Sequence, residues 1–227
     1  MSAAARTPPE MAETETLAPP PLTAAQFQAA WGASDAQMAD LEAYLALLTE
    51  WNQVMNLVGP SALAEFWPRH AWDSAQLLRL APEALAWADL GAGAGFPGLV
   101  LAILLKQTPG AKVHLVESMA KRCRFLSEVA QKLDLPVQIH NARAEDLGIR
   151  VDIVTARACA PLPRLLGYAE PYMKRGATGL FLKGQDVVAE LNEATKYWKF
   201  EAELTASSSH PDGRVLQVKG LSRVRTV

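Results

Sequence analysis

Short apolar runs alternate with amphipathic stretches from about residue 83 to the end of the chain. The apolar runs have the length and composition of buried strands, and they read, in order, LAWADL, KVHLVE, PVQIH, VDIVTA and TGLFLK. The amphipathic stretches predict helices, among them 119–133, one around 162–173 and 186–197. Strands that alternate with helices indicate a doubly wound, mostly parallel sheet, so the expected fold class is α/β.

The part of the chain before residue 83 has a helical period throughout. Thr23 and Ser34 are favourable N-caps, and apolar residues then recur at helical spacing until about Trp51. Two shorter helical stretches follow a Gly-Pro break, at 62–67 and 69–80. This region therefore predicts helices and no strands.

The two ends of the chain differ from the parts beside them. Residues 1–22 are rich in Pro, Ala, Thr and Glu and have no apolar period, which predicts a disordered tail. Residues 198–206 and 214–220 are β-rich stretches on either side of a His-Pro-Asp-Gly turn, which predicts a terminal antiparallel hairpin. We therefore expect three parts: the tail, a small helical subdomain over 23–82 and an α/β domain over 83–227.

Composition excludes several classes of protein. Half of the 227 residues are hydrophobic, a fifth are charged and the net charge is −2, so the chain is neither disordered nor strongly basic. The longest apolar run, 98–105, is far shorter than the roughly 18 residues that would suggest a membrane span. Cys123 and Cys159 fit neither a metal site nor a disulfide framework. We therefore expect a soluble cytoplasmic protein without a bound metal.

A glycine-rich loop, DLGAGAGFPG over residues 89–98, joins a predicted strand to a predicted helix. Glycines let the backbone approach a ligand closely, and the N–H groups at the start of the helix are free to bind it. One interpretation is a dinucleotide fingerprint, because three of the glycines follow the G-x-G-x-x-G pattern. The other is the S-adenosylmethionine loop of class I methyltransferases, in which an acid precedes three alternating glycines: Asp89, Gly91, Gly93 and Gly95.

Two features favour S-adenosylmethionine over a nicotinamide dinucleotide: the acid on the strand itself, and a helical subdomain that precedes the fold. Glu117 ends the second predicted strand, where its carboxylate could accept hydrogen bonds from both ribose hydroxyls in either interpretation. Ala144 and Glu145 follow the third predicted strand, where such folds recognise adenine. These two residues are the candidates for the adenine contact.

The candidate residues of the acceptor site follow the fourth and fifth predicted strands. Arg157 and Lys183 emerge at the carboxyl ends of these strands, where open sheets bind ligands, and we expect them to hold phosphate or base edges. The chain has no Asn-Pro-Pro-Tyr motif for amine methylation, and Cys159 lacks the Pro-Cys order of a pyrimidine-C5 nucleophile, which favours a small buried thiol. An acidic nucleic acid is the expected partner, and further basic residues are candidate RNA contacts: Arg69, His70, Lys121, Arg122 and Arg124.

Taken together, these residues resemble the RsmG family, also called GidB. The resemblance runs from about Trp51 to Gly184. It is carried, in order, by WN at 51–52 with NL at 56–57, RH at 69–70 with DS at 73–74, DLGAGAGFPG at 89–98, KR at 121–122 with FL at 125–126, RAE at 143–145, ARA at 156–158 and LKG at 182–184.

The resemblance implies a Rossmann-like class I S-adenosylmethionine-dependent methyltransferase that modifies N7 of a guanine in 16S ribosomal RNA, with guanine 527 as the family target. It places cofactor contacts on Gly91, Phe96, Ala144, Glu145 and Arg157. Guanine N7 carries an in-plane lone pair and can attack the methyl group itself, so no side chain of the protein is expected to act as a nucleophile. Arg157 and Lys183 would act by positioning the reactants. The implied partner is 16S rRNA or the small ribosomal subunit, and we expect a monomer.

Two other classes of protein stay open on the sequence alone. A nicotinamide-dependent oxidoreductase could use the same glycine loop, although no acid for a hydride site is evident. A non-catalytic RNA-binding protein could keep the same fold, and its RNA affinity would then be indifferent to S-adenosylmethionine.

Overall fold

A computed structural model describes residues 20–224 of the chain. The predicted tail over 1–22 therefore lies almost wholly outside the described residues. The helices are α1 (Ala24–Trp31), α2 (Asp35–Met55), α3 (Pro60–Ala64), α4 (Trp72–Leu80), α5 (Gly98–Leu105), α6 (Ala120–Lys132), α7 (Leu162–Met173) and α8 (Val187–Ala194). A π-helical turn, Phe66–Ala71, connects α3 to α4, and a 3₁₀ turn, Ala144–Asp146, follows the third strand.

The described residues form a seven-stranded sheet that is parallel except at one end. Its strands are β1 (Ala86–Leu90), β2 (Lys112–Val116), β3 (Val137–His140), β4 (Ile153–Arg157), β5 (Thr178–Lys183), β6 (Trp198–Ala206) and β7 (Arg214–Arg223). The spatial order is β3-β2-β1-β4-β5-β7-β6, and β7 runs antiparallel to both of its neighbours. The prediction of a doubly wound sheet with a terminal antiparallel hairpin is confirmed.

Helix α5, with the sequence GLVLAILL, is apolar on all sides and is buried from Gly98 to Leu104. A helix of this kind has to be covered all round. The sheet covers one side of α5 through β1 and β2, while α2 and α4 of the N-terminal region pack against it as well. Without the N-terminal helices, α5 would expose an apolar face to water.

The sheet separates two groups of buried apolar side chains. The group on one face includes Trp87, Leu99 and Phe125 and is shared by the N-terminal helices, α5 and α6. The group on the other face includes Leu166 and Phe181 and lies under α7 and α8. The core of the N-terminal helices is therefore continuous with that of the α/β part, and the division between residues 82 and 83 stays a prediction.

The helices of the N-terminal region depart from the predicted boundaries. α2 continues to Met55, beyond the predicted end at Trp51, and stops where Asn56 adopts a left-handed conformation with φ of 49°. Asn tolerates this conformation better than most residues, so the backbone and not the apolar stripe ends the helix. The stretches predicted at 62–67 and 69–80 form α3, the π-helical turn and α4 instead.

Replacing Tyr44 with Phe tests the contact between α2 and the chain that follows β1. The buried hydroxyl of Tyr44 donates a hydrogen bond of 2.6 Å to the carbonyl oxygen of Ala94. We expect Tyr44→Phe to lower the free energy of unfolding by about 1–3 kcal/mol, because a buried carbonyl loses its partner. Urea denaturation measures the change.

Tyr172→Phe is the matched control for this variant. The Tyr172 hydroxyl is also buried, but it has no hydrogen-bond partner among the described residues. Its removal should therefore lower the free energy of unfolding less than Tyr44→Phe does. Equal decreases in the free energy of unfolding of the two variants would show that the hydrogen bond between Tyr44 and Ala94 does not stabilise the fold.

Candidate functional site

Three buried side chains hold the glycine loop between β1 and α5. Glu117 Oε2 accepts a hydrogen bond of 3.0 Å from the Gly93 N–H, and Asp89 Oδ2 accepts one of 2.9 Å from the Gly98 N–H. Tyr44 binds the loop carbonyl as described above. These bonds come from α2, β1 and the end of β2, so the tertiary structure sets the conformation of the loop.

A cavity of about 270 Å³, here called the smaller cavity, opens beside the glycine loop where β1 and β2 end. Four of the predicted cofactor-binding residues line it, and they are Gly91, Glu117, Ala144 and Glu145. Arg143, which also lines it, forms an ion pair of 2.8 Å with Glu145. The structure therefore brings together residues from the loops after β1, β2 and β3.

Glu117 has the geometry required of a ribose-binding acid. Its side chain is 4% exposed and lines the smaller cavity. Oε2 is bonded to the Gly93 N–H, and Oε1 accepts a hydrogen bond of 2.8 Å from the Met119 N–H. A carboxylate oxygen can accept two hydrogen bonds, so both oxygens keep capacity for a hydroxyl. The smaller cavity thus fits the ribose of an adenosyl group.

The other loop residues that were predicted to contact the cofactor do not line the smaller cavity; these are Asp89, Gly93, Gly95 and Phe96. Asp89 is fully buried, and burial raises the pKa of its carboxyl to about 7. A Cβ on Gly95 would collide with the side chain of Leu99 and lie 2.9 Å from the Tyr44 hydroxyl. In this structure Asp89 and Gly95 act on the conformation and packing of the loop.

A second cavity of about 890 Å³, here called the larger cavity, lies at the carboxyl ends of β4 and β5. It is lined from the π-helical turn, α4, both strand ends and the β6–β7 connection, by residues that include Arg69, His70, Asp73, Arg157, Lys183 and Glu190. Ala158 and Cys159 line both cavities, so ligands in the two cavities would meet there. Ala158 has φ of 50°, a strained conformation for a residue with a side chain.

Arg157 lies at the centre of a cluster on the wall of the larger cavity. Its Nη1 donates hydrogen bonds to the Arg69 carbonyl oxygen, at 2.9 Å, and to His70 Nδ1, at 2.6 Å. Phe96 stacks on the His70 ring with centroids 4.5 Å apart, and the guanidinium lies 4.9 Å from the Phe96 centroid. Burial and the neighbouring Arg157 lower the pKa of His70 to about 3, so the ring is a neutral acceptor.

Asp73 connects the N-terminal helices to the terminal hairpin. Its Oδ1 accepts hydrogen bonds from the Ser209 hydroxyl at 2.6 Å, the Gln76 amide at 2.8 Å and the Ser207 hydroxyl at 3.1 Å. Gln76 Oε1 in turn accepts a bond of 3.0 Å from the Ser208 N–H. This network fixes the β6–β7 connection, whose continuation forms part of the larger cavity.

Lys183 is not a free cation at the end of β5. Its ammonium group lies 2.6 Å from Glu190 Oε2, and its side chain is 9% exposed. The same carboxylate oxygen accepts a hydrogen bond of 2.5 Å from the Leu162 N–H at the start of α7. The predicted phosphate-binding lysine is therefore half of an ion pair on the wall of the larger cavity.

Cys159 is positioned between the two cavities but is not activated. Burial and nearby carboxylates raise the pKa of its thiol to about 11, so the thiol stays protonated at neutral pH. A thiol in this state is a poor nucleophile. The chemistry agrees with the interpretation of Cys159 as a packing residue, although its side chain is partly exposed.

The predicted RNA-binding cations on α6 have different surroundings. Arg122 Nη1 lies 3.7 Å from Glu117 Oε2, which associates Arg122 with the smaller cavity. Lys121 and Arg124 are exposed on the same helix. Their contact with RNA stays a prediction.

Two further findings concern the described part of the chain. Within residues 20–224, no helix has the length and apolar character needed to cross a membrane. In the same residues, no three His, Cys, Asp or Glu side chains lie close enough together to hold a metal ion.

A protein-family model described as GidB, rRNA small subunit methyltransferase G, matches residues 37–216. The chain belongs to this family. The ribosomal RNA small subunit methyltransferase G of Caulobacter vibrioides (strain NA1000 / CB15N) is 71% identical over 204 residues, which cover 90% of this chain and 94% of that protein. The protein of the same name from Bradyrhizobium sp. (strain ORS 278) is 52% identical over 187 residues, 81% of this chain and 84% of that protein.

The fold can also be compared with solved structures of other proteins. A SAM dependent methyltransferase from Aquifex aeolicus superposes with a TM-score of 0.52 and 16% identity, over 74% of this chain and 96% of that one. At this identity the likeness concerns the fold alone. The predicted Rossmann-like methyltransferase fold and the resemblance to the RsmG family are both confirmed.

Sequence reasoning missed several residues that line the larger cavity, namely Glu190, Ser209, His210 and Asp212. Glu190 has the spacing of an ordinary polar residue on an amphipathic helix, so no local signal marks it. The His-Pro-Asp-Gly turn predicts a hairpin, but nothing in it predicts contact with α4. Only the Asp73-Ser74 pair, which belongs to the family motif, could have pointed to this region.

Replacing Asp89 with Asn tests the effect of its burial on pH-dependent stability. The folded chain keeps a proton on Asp89 up to about pH 7, whereas the unfolded chain releases it near 3.8. Between these values, the contribution of Asp89 to stability therefore falls as pH rises. Asn cannot ionise, so its contribution to stability does not fall in this way. As pH rises, the free energy of unfolding of Asp89→Asn minus that of wild type should therefore increase by up to about 1.4 kcal/mol per pH unit. Urea denaturation at several pH values from 5 to 8 measures this difference, and a constant difference would contradict the prediction.

Proposed function

We propose that this protein transfers a methyl group from S-adenosylmethionine to N7 of a guanine in 16S rRNA. As a member of the GidB family it is an rRNA small subunit methyltransferase, and S-adenosylmethionine is the methyl donor. The observation that carries the proposal is the junction of the two cavities at Ala158 and Cys159. A donor in the smaller cavity and a base in the larger one would meet there.

The residues of the smaller cavity fit the donor. Glu117 would bind the ribose hydroxyls, and the segment with Ala144 and Glu145 would lie against the adenine. A Cβ on Gly91 would lie 2.7 Å from the Cys159 sulfur, so the backbone at this position has no room for a side chain. When bound, S-adenosylmethionine supplies a methyl group attached to a sulfonium sulfur.

The residues around the junction support a reaction that needs no acid or base. Guanine N7 attacks with its own lone pair, so the protein has only to hold it in line with the methyl group. The His70 ring is neutral with Nδ1 already bonded to Arg157, and the Cys159 thiol is protonated. Arg157 is fixed by the Arg69 carbonyl and by Phe96, which suits it for positioning the base or its phosphate.

RNA would reach the junction through the larger cavity, which is open enough for a flipped-out base. With a net charge of −2, attraction to phosphate has to be local, and the predicted cations that can supply it are Arg69, Lys121, Arg122 and Arg124. Of the other two predicted RNA contacts, His70 is neutral and Lys183 is paired with Glu190, so neither supplies a free positive charge. Binding to the small ribosomal subunit, a cytoplasmic location and a monomeric state are part of the same proposal.

The two alternative functions are less well supported. An oxidoreductase needs an acid at the hydride site, but His70 is bonded to Arg157 and has a pKa near 3. A non-catalytic RNA-binding protein would not need a ribose-binding carboxylate beside a glycine loop. Family membership also argues against both alternatives.

Replacing Gly93 with Val tests the cofactor assignment. Gly93 has φ of +56°, and a Cβ there would meet only the Gly91 carbonyl oxygen at 3.6 Å, so the substitution strains the backbone without a severe clash. We expect Gly93→Val to stay folded but to lose measurable binding of S-adenosylmethionine in titration calorimetry, because the strained backbone would displace the N–H that holds Glu117 Oε2 beside the smaller cavity. Affinity like that of wild type in the variant would refute the loop assignment, and tight binding of NADH by wild type would revive the oxidoreductase.

Gly32→Val is the matched control for this experiment. Gly32 has φ of +79°, has nothing within 4 Å of its Cβ position and follows α1, away from both cavities. It therefore carries a comparable strain of about 1–2 kcal/mol without touching the ligand. This variant should lose stability but keep the cofactor affinity of wild type.

The position of the methyl group on the product tests the acceptor assignment. N7-methylguanine has a labile glycosidic bond, so rRNA treated with the protein and S-adenosylmethionine should break at a single guanine after borohydride and aniline. Gly93→Val should produce no break. A methyl group found on adenine or on a pyrimidine carbon would show that the acceptor is wrong, while the fold assignment would stand.

A further inference from the structure

Lys183 and Glu190 place a hydrogen-bond donor and an acceptor side by side on the wall of the larger cavity. The ammonium group and Glu190 Oε2 are 2.6 Å apart, and the Leu162 N–H holds the same oxygen. The two side chains are 9% and 26% exposed, so the pair is largely shielded from water while both residues line the cavity. An ion pair fixed in this way presents a defined pattern to whatever enters.

Glu190 differs from the other carboxylates of the larger cavity. Asp73 Oδ1 already accepts three hydrogen bonds, and its Oδ2 lies 4.0 Å from the Arg157 guanidinium. Asp212 is 61% exposed at the rim. Glu190 Oε1, in contrast, accepts no hydrogen bond from the described residues. It is therefore free to accept bonds from a ligand.

Guanine has the complementary pattern on its Watson–Crick edge. O6 is an acceptor, while N1–H and the N2 amino group are donors, and one carboxylate oxygen can accept from both donors through its two lone pairs. Adenine presents a donor at N6 and an acceptor at N1. In the same position, its N6 donor would face the ammonium donor, and its N1 acceptor would face the carboxylate acceptor. An ammonium beside a carboxylate thus discriminates between the two purines.

We propose that the Lys183–Glu190 pair reads the Watson–Crick edge of the acceptor guanine, with Lys183 donating to O6 and Glu190 Oε1 accepting from N1–H and the N2 amino group. This inference rests on the proposed function. N7 lies on the opposite side of O6 from N1, so a base held by this edge leaves its N7 free. Lys183 Nζ lies 3.5 Å from the Ala160 carbonyl, one residue beyond the junction at Cys159, which brings the reading pair close to the methyl donor.

The contact with the N2 amino group is tested by a cycle that changes the protein and the base together. Full-length 16S rRNA is prepared by ligation with guanosine or inosine at the methylated position, since inosine lacks only the N2 amino group. The kcat/KM for transfer from labelled S-adenosylmethionine is measured for wild type and Glu190→Gln. We expect inosine to lower kcat/KM about tenfold for wild type, as for a hydrogen bond to a charged group, but less than threefold for the variant.

A merely structural role for Glu190 predicts a different result. Gln at this position keeps an oxygen for the Leu162 N–H but loses the ion pair with Lys183. If Glu190 had only a structural role, Glu190→Gln would lower the melting temperature and would lower kcat/KM by the same factor for both RNAs. Equal factors for the two RNAs would overturn the inference. Glu193→Gln is the control, because Glu193 is exposed on the same helix, pairs with Lys196 and does not line the cavity. It should discriminate between the RNAs as wild type does.

The failure of the inference can be told apart from the failure of the proposed function. If wild type transfers no methyl group to guanosine-containing rRNA, the proposed function fails and the inference falls with it. If wild type methylates N7 of guanosine but methylates inosine equally well, the proposed function stands and the inference is overturned.

Discussion

The glycine loop after β1 depends on three buried side chains that bind its backbone. The N–H groups of Gly93 and Gly98 donate to side-chain oxygens of Glu117 and Asp89, and a loop carbonyl accepts from Tyr44. Buried backbone groups have to be hydrogen-bonded, and here the partners come from separate elements. The conformation of the loop, including Gly91 on the wall of the smaller cavity, is therefore a property of the assembled fold.

The same constraint explains why the N-terminal helices belong to the site. Helix α5 follows the glycine loop and is apolar all round, so it is stable only between the sheet and the helices α2 and α4. Tyr44 comes from one of these covering helices and reaches the loop. Packing that buries α5 thus also positions the loop, so the N-terminal region contributes to the conformation of the chain beside the smaller cavity.

The larger cavity is assembled from the first and last parts of the described chain. Asp73 and Gln76 on α4 bind the serines at 207–209, more than 130 residues away along the chain. Arg157, at the end of β4, binds the π-helical turn through hydrogen bonds to Arg69 and His70. These bonds place the hairpin, the turn and the strand ends around one space, in which Asp73 Oδ1 accepts three hydrogen bonds while Glu190 Oε1 accepts none from the described residues.

The amino-acid sequence by itself determined the order and type of most elements. The period of the apolar residues predicted the alternating strands and helices after residue 83 and the terminal hairpin, because burial on a strand or a helix imposes a local period. Positions at the carboxyl ends of predicted strands made Arg157, Lys183 and Glu117 candidates, and the acid-and-glycine pattern predicted the cofactor loop. The end of α2 could not be predicted this way, since the left-handed backbone of Asn56 ends it while its apolar stripe has already stopped.

Only the tertiary structure decided what these side chains do. It buried Asp89 under the loop, joined Lys183 to Glu190 and placed the serines after β6 against Asp73. None of these contacts has a sequence signal, because each joins groups on different segments of the chain; Lys183 ends β5, for example, while Glu190 lies on α8. Hydrogen bonds and ion pairs between distant segments depend on how the helices and strands pack, and this packing is set by the shapes of the two buried cores on either side of the sheet.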